Sequence, residues 1–130
     1  MSEALLLDTN VLIWTLLGSD RVSAPAHRAM FRSTAVLSVS AVSVWEIVLK
    51  HQTGKLRLEA PLDEVVDQIF YRSPWTMLPL RPEHLLALAR LPMLHRDPFD
   101  RLLIAQARHE RMAILTADEN MAKYDVRIVW

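Results

Sequence analysis

The sequence predicts an α/β fold with a mostly parallel sheet, on three observations. Short, largely apolar runs without alternation, at residues 4–7, 35–39 and 113–116, suit strands buried on both faces. Each runs directly into polar or acidic residues, and the segments between them carry helical spacing. A chain of 130 residues, 52% hydrophobic, is long enough for one domain with a real core, and it is expected to form a single domain over residues 1–130.

Leu5, Leu6 and Leu7 form the heart of the first strand, which ends in Asp8-Thr9-Asn10 with polar cap chemistry for the next apolar stretch. Residues 11–17 are apolar almost all round and read as a buried helix closed by Gly18. Ser23-Ala24-Pro25 opens a second helix to about Arg32, with proline in the first turn. The second strand, 35–39, leads into a helix with two readings. Ser43 and Glu46 fit a capping box, which gives Glu46 a structural task. Alternatively the helix starts at Ser40, which leaves the Glu46 carboxylate free. Gly54-Lys55-Leu56 closes that helix. Residues 61–71 form an amphipathic helix with Asp63, Glu64 and Asp67 on its solvent face. A short strand is expected at 75–78, then a helix at 82–91 begun by Pro82. Asp97-Pro98 is a strong helix start, cap then proline, for a helix reaching about Arg111, with Asp100 in its first turn. The strand at 113–116 ends in Thr116-Ala117-Asp118, and a last short strand spans 126–129.

Composition excludes several classes. Without cysteine there are no disulfides, thiolate zinc sites or thiol nucleophiles, which fits a reducing cytoplasm. Residues 1–7 include Glu3 and lack a basic start or long apolar centre, so no signal peptide is expected. No apolar run approaches the roughly 20 residues of a membrane helix. Gly18 and Gly54 are the only glycines, too few for a phosphate cradle or a nucleotide-cofactor fingerprint. The 15 basic and 15 acidic side chains balance, so bulk charge alone gives no footprint for a polyanion.

The order strand, acid, helix recurs at Asp8, Glu46 and Asp118, while Asp97 and Asp100 open a further helix. In a parallel sheet with right-handed crossovers, strand ends and helix starts share one edge, which gathers these acids. Close carboxylates cannot all stay ionised without a cation. Oxygen donors without cysteine favour Mg²⁺ or Mn²⁺ over zinc. The five histidines show no metal-ligand spacing and are expected on the surface or in loops. Two rivals share some of this pattern. A phosphotransfer receiver or phosphatase-like domain also sets an aspartate at a strand end, but such phosphatases need a second aspartate where Asn10 stands. A non-catalytic interaction domain would not need Asp8, Glu46, Asp100 and Asp118 together.

Leu7-Asp8-Thr9-Asn10, residues 40–50 with Trp45-Glu46, Gly54-Lys55-Leu56, residues 95–107 and Leu115-Thr116-Ala117-Asp118 together resemble a PIN-domain ribonuclease, of the VapC-like toxin type found in bacterial toxin–antitoxin pairs. The resemblance covers essentially the whole chain, and residues 97–107 are its most specific part. It implies a three-layer α/β/α sandwich and a metal-dependent endoribonuclease with catalytic acids Asp8, Glu46, Asp100 and Asp118. Asp8, Glu46 and Asp100 would hold Mg²⁺ or Mn²⁺, with Asp118 and Asp97 as further candidates, and Thr9, Asn10 and Thr116 would support the carboxylates or a phosphate. Lys50, Lys55, Arg57, Arg96 and Arg101 offer a basic rim for RNA. The resemblance further implies a homodimer and a cognate antitoxin protein that inhibits it.

Overall fold

A computed structural model describes residues 3–32 and 34–130 of the chain. Met1 and Ser2, the start of the segment read as lacking a signal peptide, lie outside the described residues, as does Ser33. Strand β1 (Glu3–Leu7) is central, flanked by β2 (Ala35–Ser40) and β4 (Ala113–Leu115). Beyond them lie β3 (Thr76–Leu78) and β5 (Ile128–Val129), giving the order β3-β2-β1-β4-β5 with every pairing parallel. Leu5 pairs with Leu37 on one side and Ala113 on the other.

The lack of alternation in β1 has the cause expected of it. Leu5 and Leu7 enter one core with Leu12, Ile47 and Leu115, while Leu6 enters a second with Leu103, Ile104 and Ile114. Helices α1 (Thr9–Leu16), α2 (Ala24–Met30) and α4 (Leu62–Asp67) supply the first core through Val11, Ala26 and Val65. Helices α5 (Pro82–Ala89) and α6 (Pro98–Glu110) cover the opposite face, where Leu88 packs beside the α6 core residues. Helix α3 (Ala41–Gln52) sends Val44 and Ile47 to one core and Val42 to the other. The result is the three-layer α/β/α sandwich. Among the described residues no helix is long and apolar enough to cross a membrane.

Local chemistry sets the boundaries. Ser40, not Ser43, caps α3, accepting the Val42 N–H at 3.0 Å, so Glu46 lies beyond the capping turn. Gly18 at φ +64° and Gly54 at φ +76° take the left-handed conformation that ends α1 and α3. Two expectations are corrected. The helix expected over 61–71 leaves α geometry at Gln68 and finishes in a wider π turn, Gln68–Arg72. The last strand is confined to Ile128–Val129, because the Val126 N–H bonds to the Tyr124 carbonyl instead of a neighbouring strand.

Candidate active site

The chain runs outward from β1 through β2 to β3, then returns to the other side of β1 for β4 and β5. The topological switch point therefore lies between β1 and β4, where open α/β sheets bind ligands beyond the strand ends. Asp8 stands there at the cap position of α1, yet its carboxylate makes no capping bond to the helix. Instead Thr116 donates its hydroxyl to Asp8 Oδ2 at 2.7 Å, and the Asp8 N–H donates to the Leu115 carbonyl at 3.0 Å. Burial pushes Asp8 up to about 6. The Thr116 hydroxyl and Thr9 backbone amide oppose the shift, while Glu46 and Asp118 add repulsion.

Asp100, in the first turn of α6, is perturbed further. Burial, then the charges of Asp8, Asp97, Asp118 and Glu46, push it up to about 8. Asp97 is exposed and caps α6, its Oδ1 accepting the Asp100 N–H at 3.0 Å. Glu46 is buried at 6% exposure, with Oε2 2.9 Å from Lys50 Nζ and Oε1 without a hydrogen-bond partner among the described residues. The Asp118 N–H donates to Thr116 Oγ1 at 3.0 Å, so one threonine links Asp8 to the backbone of Asp118.

The supporting residues divide. Thr116 holds Asp8 directly, whereas the Thr9 hydroxyl donates to Ser43 Oγ at 3.0 Å and ties α1 to α3. Asn10 is exposed. Lys50 is engaged with Glu46, and Arg101 donates to the Leu91 carbonyl at 3.3 Å, while Lys55, Arg57 and Arg96 are exposed. Trp45 and Phe99, the neighbours of Glu46 and Asp100, meet edge to face at 4.8 Å and join α3 to α6.

Among the described residues no three acidic or histidine side chains already stand as the ligand set of one ion. The chemistry of the donors nevertheless fits a hard divalent cation. The donors are carboxylate oxygens, Glu46 Oε1 is buried and unpartnered among the described residues, and a positive charge would offset the burial and the repulsion that lift Asp100.

One histidine departs from the surface or loop placement expected of all five, and a second, in the loop before α6, reaches the acids. His84 is fully buried, with Nε2 2.9 Å from Glu110 Oε1. His95 places Nε2 3.4 Å from Asp100 Oδ2, and sequence reasoning gave it no role. Its position five residues before Asp100 was the available signal. Its other partner, Tyr124, is 29 residues away and gave none.

An all-parallel sandwich with carboxylates gathered at its switch point defines a class of α/β proteins suited to cation-assisted chemistry on phosphate groups. Within that class a family model for the PIN domain matches residues 5–127, and the chain belongs to the PIN-domain family, whose members are nucleases. No curated protein matches it significantly in sequence. Among solved structures it is similar to a chain of VapBC2 from Rickettsia felis bound to a promoter DNA fragment, with TM-score 0.71 and 12% identity over 96% of each chain. It is also similar to a chain of DNA-bound VapBC from Salmonella typhimurium, with TM-score 0.70 and 16% identity over 98% of this chain and 97% of the other. A toxin–antitoxin complex from Klebsiella pneumoniae gives TM-score 0.60 and 17% identity over 90% and 89%. At these identities the likeness is one of fold.

Proposed function

We propose that this protein is a Mg²⁺- or Mn²⁺-dependent endoribonuclease, the cytoplasmic toxin of a toxin–antitoxin pair. The observation that carries this reading is the convergence of Asp8, Glu46, Asp100 and Asp118, with Asp100 raised to about 8 by burial and by its acidic neighbours. The toxin–antitoxin complexes among its structural relatives support the biological setting. When bound, the cation supplies charge for a phosphodiester oxygen and lowers the pKa of a water. Asp8 and Asp100 are its main ligands. Glu46 and Asp118 complete the set or orient water, and Thr116 fixes the Asp8 rotamer. Lys55, Arg57 and Arg96 form the rim for the RNA backbone, and Lys50 neutralises Glu46 until the cation arrives.

In the inhibited complex, an arginine or lysine from the antitoxin tail enters the acidic cleft and displaces the cation, since a guanidinium fork matches paired carboxylates. The deciding experiment incubates purified protein with RNA in EDTA, Mg²⁺ and Mn²⁺ and maps the ends. Metal-dependent cleavage leaving 5′-phosphate and 3′-hydroxyl ends is expected, and it is lost in Asp8→Asn and Asp100→Asn. Cleavage in EDTA, or full cleavage by folded Asp100→Asn, overturns the reading.

A further inference from the structure

The segment between α5 and α6 delivers His95 to the rim of the acid cluster, and a single side chain from the connection between β4 and β5 holds it there. His95 Nδ1 lies 2.8 Å from the Tyr124 hydroxyl, and the same hydroxyl accepts the His95 backbone N–H at 3.2 Å. The imidazole and phenol rings pack edge to face with centroids 5.3 Å apart, and Tyr124 is buried. His95 Nε2 then faces Asp100 Oδ2 at 3.4 Å.

Proton counting orients this chain. The phenol has one proton to give and already receives one from a backbone amide, so donating to Nδ1 satisfies both of its functions. That leaves the imidazole proton on Nε2, directed at the carboxylate. With the reverse tautomer, the Tyr124 hydroxyl would receive protons from both His95 nitrogens that face it, and its own proton would lose its acceptor on the imidazole. Carboxylates that hold metals are ordinarily fixed by such an outer hydrogen bond, and its loss weakens binding.

We propose that His95, locked as its Nε2–H tautomer by Tyr124, is a positioning residue that fixes Oδ2 of Asp100 and leaves Oδ1 for the cation. This rests on Asp100 being a ligand, and the test separates the two claims. Long-range ¹⁵N–¹H correlation spectra of the Mn²⁺-free, Mg²⁺-loaded protein are expected to show His95 as the Nε2–H form and to lose that signature in Tyr124→Phe. Mn²⁺ titration without RNA then compares three variants. His95→Gln keeps a donor near the Nε2 position and is expected to bind close to normally. His95→Asn reaches only the Nδ1 position, can still meet Tyr124, and is expected to weaken binding by roughly 10- to 100-fold. Asp100→Asn is expected to weaken it at least as much.

If Asp100→Asn binds Mn²⁺ normally, the metal-site reading fails and this proposal falls with it. If Asp100→Asn weakens binding while His95→Asn does not, the site stands and the proposal alone is overturned. An Nδ1–H tautomer in the native protein also overturns it, without reliance on any variant.

Discussion

At the scale of single residues, the informative feature is a cap position that does not cap. Asp97 and Asp8 both precede a helix, but only Asp97 makes a side-chain capping bond, to the Asp100 N–H. Asp97→Asn is therefore expected to leave stability and cleavage nearly intact, and Asp97→Ala to cost about 1 kcal/mol in urea unfolding. If Asp97→Asn abolishes cleavage, Asp97 belongs with the ligands. The raised acids also set a pH dependence. Asp8 and Asp100 titrate near 6 and 8 when folded but near 3.8 when unfolded, so between these values the native state holds more protons. Without metal, the stabilising contribution of these groups is full below about 3.8 and falls as pH rises through 6 and 8. Thermal unfolding in EDTA should show Tm falling from pH 5 to pH 8.5, roughly the window these shifts span. Asp100→Asn should flatten most of the fall above pH 6, and a Tm that climbs through this range instead would contradict the repulsion among these acids.

At the scale of elements, α3 and α6 are fastened by a buried polar network. Ser40, the cap of α3, donates to Gln106 Oε1 at 2.5 Å, and Gln106 Nε2 lies 3.3 Å from the Pro79 carbonyl and 3.2 Å from His84 Nδ1. Since Glu46 sits on α3 and Asp100 on α6, Gln106 sets the spacing of two acids without touching either. Gln106→Leu strands buried polar partners and is expected to lower unfolding free energy by about 1–3 kcal/mol, with cleavage reduced, as denaturation and RNA assays would register. Most elements were legible because their punctuation is local: Gly18, Ser23-Ala24-Pro25 and Asp97-Pro98 act on their own helices. The end of α6 near Arg111 was placed by the sequence, but not its geometry, since Arg111 closes the helix at φ 57°, a conformation that usually calls for glycine. The choice between Ser40 and Ser43 was likewise undecidable locally, because a neighbouring element settles it when Thr9 on α1 donates to Ser43.

At the scale of the molecule, the gathering of acids at one edge could be anticipated from strand order, because parallel topology makes that edge common to all of them. Their mutual electrostatics, and the Tyr124–His95 contact, depend on three-dimensional approach that no spacing encodes. The surface carries large exposed apolar side chains, among them Phe31, Tyr71, Leu86 and Met93. A two-fold homodimer would cover part of this area. Sedimentation on the order of tens of micromolar should therefore show dimer, and monomer alone would count against it.

The bond from Thr116 to Asp8 spans 108 positions of sequence. During synthesis β1 emerges first but lies at the centre of the sheet, so it waits for β4 before its second edge is paired. Closing so long a loop is a late event, and chains are made at about 5–20 residues per second. The nascent polypeptide thus carries its first acid for several seconds, by that estimate, before the switch point exists. The acidic edge is therefore completed only near the end of translation, when β4 closes against β1 and Thr116 reaches Asp8.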